Sequence, residues 1–182
     1  MSHHICPWWV GYLLANPLRR LLENPEKMLA PFVRNGMTVI DYGCGMGFFA
    51  LPLARLVGPG GKVIAVDIQE KMLNALRKRA KRNGLSNLIL LQSTGSENLI
   101  AEDSVDFVTA LHVIHEIADQ DAFFKAMYRV MKPEAKLLML EPSFHVPEEE
   151  FRKSVERAEA SGFVLTTNVD SSRSLIVTLS KP

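Results

Sequence analysis

Three glycines stand at alternate positions, Gly43, Gly45 and Gly47, directly after an apolar segment that ends at Asp41. Glycine serves where the backbone must adopt a positive φ, or where a ligand must come closer than a Cβ atom would allow. An apolar helical pattern follows, so the spacing predicts a strand, a loop wrapped around a small molecule, and a helix. A dinucleotide-binding loop, G-x-G-x-x-G, would need its third glycine where Phe48 stands, so this loop departs from that fingerprint.

A second acidic residue, Asp67, ends the apolar segment that begins at Val63. In a doubly wound sheet, an acid at the end of the second strand accepts hydrogen bonds from the ribose hydroxyls of the ligand. Ile68 would then supply an apolar face against an adenine ring. Alternatively, Asp67 is only the N-cap of the helix expected from about Glu70, because Asp is favoured there. The first interpretation predicts an adenosine ligand without distinguishing one adenosine cofactor from another.

Strand and helix patterns alternate along most of the chain, which predicts a mainly parallel sheet covered by helices on both faces. Residues 170–173, between the last two strands, are too few for a crossover helix, so these strands must form a hairpin with one strand antiparallel. Strands are expected near 38–42, 62–67, 88–92, 105–111, 136–141, 163–169 and 174–180. Helices are expected near 8–15, 17–23, 25–34, 47–57, 70–83, 120–131 and 147–161.

Composition limits the classes of function. The 182 residues carry a formal charge of +1 and are 47% apolar, which predicts one globular domain without the basic surface that binds nucleic acid. No apolar stretch is long enough to span a bilayer, and the N-terminus does not resemble a secretory signal, so we expect a cytoplasmic protein. The spacing of His3, His4, Cys6 and Cys44 matches no zinc pattern, and we expect neither a metal nor a disulfide.

Several blocks in order carry a family resemblance. The D-x-G-x-G-x-G loop, the acidic end of the second strand, and the segments leading into the fourth, fifth and sixth strands occur at matching spacings. These blocks are residues 41–47, 58–73, 105–108, 128–141 and 159–163. Over roughly residues 28–180 the chain resembles the class I S-adenosylmethionine (SAM)-dependent methyltransferases, particularly the type 11 group around the ubiquinone/menaquinone-biosynthesis C-methyltransferases.

The resemblance implies a single-domain, Rossmann-like α/β/α sandwich with a seven-stranded, mostly parallel sheet and a C-terminal antiparallel hairpin. It implies SAM as the cofactor, with S-adenosylhomocysteine as the product. The residues that would contact the cofactor are Asp41, Tyr42, Gly43, Cys44, Gly45, Gly47, Asp67, Ile68, Met72, Gly95, Ser96 and Leu111. Asp41 would order the loop and bind near the methionine end of the ligand, or it would only brace the loop.

Two positions depart from the family pattern. Gly95, followed by Ser96, stands where the family usually has an Asp that contacts the adenine amino group, so backbone groups or the Ser96 hydroxyl would have to replace it. Glu134 stands in a turn where Pro-Gly-Gly is common, and the loss of glycine is expected to change the geometry of that turn.

Three residues are candidates for a general base. His112 directly follows the fourth strand and is the better-placed histidine; His115 lies about one turn further on, and Glu141 ends the fifth strand. Histidine titrates near neutrality and can take a proton from an acidic hydroxyl or carbon. Each of these residues could instead cap a helix or pack at the rim. Motifs for methylating bases of nucleic acid, and the acidic Mg²⁺ cluster of catechol-type enzymes, are not found in the sequence.

The N-terminal segment is rich in aromatic residues, which are unfavourable if left exposed. We expect residues 1–35 to form a helical arm or lid of the same domain, with Trp8, Trp9 and Tyr12 contacting the substrate, and residues 36–182 to form the SAM-binding core. These aromatics could instead pack on the sheet or in a dimer interface.

The sequence thus predicts an enzyme that methylates a small apolar or aromatic metabolite, as a monomer or homodimer. A nicotinamide-dependent oxidoreductase and a SAM-binding protein without catalysis are the alternatives.

Overall fold

The computed structural model describes residues 23–93, 99–170 and 174–182, and the described residues form two compact units. The first unit comprises the described residues up to 93, and the second comprises those from 99 onwards. The predicted helix over 8–15 and the aromatic residues Trp8, Trp9 and Tyr12 lie outside the described residues, as does the predicted helix over 17–23 except for its last residue.

The first unit contains three parallel strands in the order β3-β2-β1, with β1 paired to β2 and β2 to β3. Five of the six residues of β2 are buried, which explains why this segment is apolar without alternation, as in parallel strands covered on both faces. The elements of this unit are α1 (Pro25–Leu29), β1 (Thr38–Tyr42), α2 (Ala50–Leu56), β2 (Lys62–Asp67), α3 (Glu70–Arg82) and β3 (Leu88–Gln92).

The second unit contains four strands in the order β4-β5-β7-β6. β4 and β5 are parallel, whereas β7 is antiparallel to both β5 and β6, as the short connection before β7 predicted. Its elements are β4 (Val105–Leu111), a 3₁₀ helix (Ile114–Glu116), α4 (Gln120–Val130), β5 (Met131–Pro142), α5 (Glu148–Ala160), β6 (Val164–Asp170) and β7 (Ser174–Ser180). The predicted seven-stranded, mostly parallel sheet with a terminal hairpin is confirmed.

Three predictions about local structure are wrong. The strand predicted over 136–141 begins earlier, because β5 starts at Met131. The helix predicted over 25–34 begins as expected, with the Asn24 side chain accepting from the Lys27 N–H at 3.0 Å, but it ends at Leu29. Pro31 accounts for the early end, because proline lacks the N–H that would continue the helix. In the second unit, Glu134 adopts φ 65°, so the absence of glycine does not prevent a left-handed backbone there. The Glu134 N–H donates to the Lys181 carbonyl at 2.7 Å, which stabilises this conformation.

Candidate active site

The glycine loop of the first unit is closed onto the end of β2. The N–H groups of Gly43 and Cys44 both donate to the Val66 carbonyl at 2.9 Å. Gly45 and Gly47 have φ values of 51° and 86°, in the left-handed region that disfavours residues with a Cβ atom. The loop conformation therefore depends on glycine, as the spacing predicted.

Asp67 joins this loop to the start of α3. Its Oδ2 accepts from the Gly45 N–H at 2.8 Å, and its Oδ1 accepts from the Gln69 N–H at 2.8 Å. Burial raises the pKa of this carboxyl group, although the two N–H donors partly oppose the change. The N-cap of α3 is Gln69, so Asp67 is not itself the N-cap. Because an ionised carboxylate offers about four acceptor sites, both oxygens keep capacity for ligand hydroxyls.

Gly45 and Gly47 have different surroundings. Among the described residues, no atom lies within 4 Å of a Cβ atom added to Gly45, so this part of the structure leaves open space beside the glycine. A Cβ atom added to Gly47 would overlap Leu76 Cδ1 and lie 3.3 Å from Leu51 Cγ. Gly47 therefore permits close packing of the loop against two helices, whereas Gly45 leaves room beside the loop.

The other predicted cofactor residues of this unit differ in the solvent exposure of their side chains. Asp41, Cys44 and Met72 are buried, whereas Ile68 is 50% exposed and available to a ligand. Burial, followed by the charges of Asp41 and Asp67, raises the pKa of the Cys44 thiol well above its ordinary value. A neutral, buried thiol is a poor nucleophile, which argues against a reactive role for Cys44.

Two residues that sequence reasoning missed support the loop. Arg79 donates from Nη1 to the Met46 carbonyl at 2.6 Å, and Ser93 shares a hydrogen bond of 2.9 Å with the Tyr42 hydroxyl. Arg79 follows Met72 and Leu76 at the i, i+4, i+7 spacing of one helix face, which was the available signal. Ser93 lies just after β3 and carried no comparable signal.

In the second unit, the structure brings together two of the three predicted base candidates. His115 Nδ1 lies 2.8 Å from Glu141 Oε2, and the His115 N–H donates to Glu141 Oε1 at 3.3 Å. Glu141 is buried at the end of β5, and the 3₁₀ helix places His115 beside it. Burial lowers the pKa of His115, but the hydrogen bond to Glu141 and the charges of Glu141 and Glu116 outweigh it, and the pKa is raised.

His112 is placed differently from His115. Its backbone has φ 59°, and its N–H donates to the Leu140 carbonyl at 2.7 Å. This left-handed residue turns the chain just after the buried end of β4 at Leu111. The roles of Leu111 in cofactor binding and of His112 in catalysis stay predictions.

Gly95 and Ser96 lie outside the described residues, as do the aromatic residues of the N-terminal segment. Within the described ranges, no cluster of three or more His, Cys, Asp or Glu side chains is arranged to hold a metal ion. No helix in the same ranges is long and apolar enough to cross a membrane.

Known proteins resemble this chain in sequence and in fold. A family model described as "Methyltransferase domain" matches residues 34–171. The ubiquinone/menaquinone biosynthesis C-methyltransferase UbiE of Vibrio campbellii is 35% identical over 109 residues, which are 59% of this chain and 42% of that protein. Its Escherichia coli counterpart is 34% identical over 60% of this chain and 44% of that protein. The match thus spans less than half the length of these curated relatives.

Solved structures agree over more of the chain. A SAM-dependent methyltransferase from Aquifex aeolicus superposes with a TM-score of 0.88 at 28% identity, covering 98% of this chain and 100% of that one. The [4+2]-cyclase SpnF shares the fold, with a TM-score of 0.75 at 16% identity over 86% of this chain and 80% of that one. Because the family model covers well over half of the sequence, the chain belongs to the methyltransferase-domain family, and its resemblance to the class I SAM-dependent methyltransferases is confirmed.

Proposed function

We propose that this protein transfers a methyl group from SAM to a small apolar or aromatic metabolite. The observation that carries the proposal is the glycine loop, held by Asp67 and bordered at Gly45 by open space. The nicotinamide alternative is not favoured, because the family that matches is a methyltransferase family.

The residues of the first unit fit SAM. Open space beside Gly45 would admit the ligand against the loop backbone, and the buried Asp67 carboxylate would accept from the ribose hydroxyls. The exposed Ile68 side chain would cover an adenine ring. When bound, SAM supplies an electrophilic methyl group attached to a sulfonium. The chain's own residues then have to orient the acceptor and exclude water.

The net charge of the chain and the names of its relatives support a proposal for the class of methyl acceptor. A formal charge of +1 gives no electrostatic preference for a polyanion such as nucleic acid. The Vibrio campbellii and Escherichia coli relatives are named for ubiquinone and menaquinone biosynthesis, which supports a small acceptor with an apolar or aromatic body. We further propose that the enzyme works in the cytosol, where a thiol such as Cys44 stays reduced.

Ligand-dependent melting of the full chain tests the cofactor. SAM and S-adenosylhomocysteine are expected to raise the melting temperature, since a ligand at a hundred times its Kd stabilises by about 2.7 kcal/mol. NAD is expected to leave it unchanged. Methyl transfer to any member of a panel of small aromatic metabolites would then eliminate a SAM-binding protein without catalysis. Stabilisation by NAD alone would contradict the proposal.

The N-terminal arm, residues 1–35, is proposed to act as the lid over the acceptor. Deleting residues 1–15 removes Trp8, Trp9 and Tyr12 and is expected to abolish methyl transfer while leaving S-adenosylhomocysteine affinity within a few-fold. Calorimetric titration of the truncated and full chains measures the affinity, and methylation of the acceptor found in the panel measures the activity. A truncated chain that no longer folds would show that the arm packs structurally.

A further inference from the structure

We infer that His115, positioned by Glu141, takes the proton that the acceptor loses, and that the acceptor is a neutral molecule with an acidic hydroxyl or C–H group, bound in the cavity beside this pair. The inference rests on the proposed methyl transfer. It excludes acceptors that attack without losing a proton to the enzyme, such as a preformed thiolate.

Hydrogen bonding fixes the orientation of the His115 ring. Both carboxylate oxygens of Glu141 contact His115, one at the ring Nδ1 and the other at the backbone N–H. Because a carboxylate accepts hydrogen bonds, the neutral His115 ring carries its proton on Nδ1, and its acceptor lone pair then lies on Nε2. The Nε2 atom is 3.9 Å from Glu116 Oε1, and the ring of His145 packs edge-to-face at 5.1 Å. An imidazolium formed at His115 would therefore lie between two carboxylates.

A cavity of about 390 Å³ adjoins the pair within the second unit, large enough for a small metabolite. Both His115 and Glu141 line it, together with the apolar side chains of Ile117, Val146 and Phe151. A general base at the wall of a partly apolar cavity is placed to meet a ring or chain that carries one ionisable group.

The charged side chains of the cavity favour a neutral acceptor. Lys153 and Arg157 line it, but Lys153 lies 3.0 Å from Glu149 and Arg157 lies 3.1 Å from Asp121. Because both cations already face carboxylates, the cavity offers little net attraction to an anion. The acceptor is therefore expected to enter protonated and to become nucleophilic inside.

The step balances with one proton. The acceptor's O–H or C–H bond breaks, and its proton moves to His115 Nε2. The acceptor atom would then form a bond to the methyl carbon that SAM supplies, while the methyl–sulfur bond would break and leave its electron pair on sulfur. The imidazolium returns the proton to water after the product leaves. No oxidant or metal is required.

A coloured acid measures proton transfer without any methyl transfer. We choose 4-nitrophenol, whose phenolate form absorbs visible light, and titrate it into the full chain in the presence of S-adenosylhomocysteine. The bound probe is expected to show a phenolate-to-phenol ratio about tenfold above that in buffer at the same pH, equivalent to a pKa lowered by about one unit. His115→Asn, which can keep an amide N–H toward Glu141 but lacks Nε2, is expected to abolish the increase.

The remaining variants separate positioning from binding. Glu141→Gln is expected to reduce the phenolate increase while leaving the Kd of the probe within a few-fold, which a purely structural role would not produce. Glu159→Gln, the same change at an exposed position of α5, is the matched control and is expected to behave as the native chain.

The proposal is overturned if the probe does not bind, if His115→Asn keeps the phenolate, or if His112→Asn removes it while His115→Asn does not. Binding of S-adenosylhomocysteine is measured on the same samples. If the native chain binds S-adenosylhomocysteine but the phenolate fraction of the probe does not increase, only this inference is rejected. If the native chain does not bind S-adenosylhomocysteine, the proposed function is rejected.

Discussion

Replacement of Asp67 by Asn is expected to lower the affinity for S-adenosylhomocysteine by about 100-fold or more. Hydrogen bonds to a charged acceptor contribute about 1.5–3 kcal/mol each, so two ribose hydroxyls together exceed the roughly 2.7 kcal/mol that corresponds to 100-fold. The Asn amide would also point a donor at Gly45 or Gln69, whose N–H groups now lie 2.8 Å from the carboxylate oxygens. Isothermal titration calorimetry below the melting temperature measures the loss.

Asp106→Asn provides the matched control. Asp106 forms an ion pair with Lys132 in the second unit and belongs to no predicted cofactor contact, so nucleoside affinity is expected to be unchanged. If Asp67→Asn binds S-adenosylhomocysteine as tightly as the native chain does, Asp67 only braces the loop and the ribose assignment is wrong.

Alanine at the two loop glycines is expected to separate binding from folding. Gly47→Ala should lower the free energy of unfolding by about 1–3 kcal/mol through overpacking against Leu76 and Leu51, in addition to about 1–2 kcal/mol for the left-handed backbone. Gly45→Ala should lower the free energy of unfolding only by the cost of the left-handed backbone, because no atom of the described residues lies within 4 Å of the added Cβ atom. It should nevertheless lose nucleoside affinity, since that atom would occupy the space proposed for the ligand.

Chemical denaturation and calorimetric titration of both variants measure the two effects. The variants are controls for each other, since both add one methyl group to the same loop at a positive φ. Equal affinity of Gly45→Ala and the native chain would show that the ligand does not lie beside Gly45. Equal stability of Gly47→Ala would show that Leu76 moves aside at little cost.

Most strands could be predicted because a strand that is buried on both faces of the sheet consists mainly of apolar residues. β2 is continuously apolar from Val63 to Val66, β4 is apolar except at Asp106 and Thr109, and the predicted bounds of both strands agree with the structure. β5 was predicted from 136 but begins at Met131. Its register shifts, with Val105 opposite Met131 but Phe107 opposite Lys136, and a bulge of this kind depends on pairing that local pattern does not encode.

The parts of the candidate site that lie at the ends of strands could be predicted from the sequence. Gly45 lies just after β1 and Asp67 is the last residue of β2, and the general geometry of parallel sheets brings strand ends together. The pairing of His115 with Glu141 was not predictable, because it depends on the 3₁₀ helix after β4 and joins residues 26 positions apart. Sequence position favoured His112, whose left-handed backbone gives no periodic signal.

The two hydrogen bonds that the Asp67 carboxylate accepts have one further consequence. Its carboxylate accepts from the Gly45 N–H of the loop and from the Gln69 N–H at the start of α3, so two hydrogen bonds of the fold itself hold these segments together. Because both hydrogen bonds belong to the fold, a nucleoside bound beside them would have to order less of the backbone. The protein would then lose less conformational entropy on association than a protein whose loop must fold around its ligand. If the nucleoside binds at this loop as proposed, part of its affinity would come from hydrogen bonds that the fold already makes.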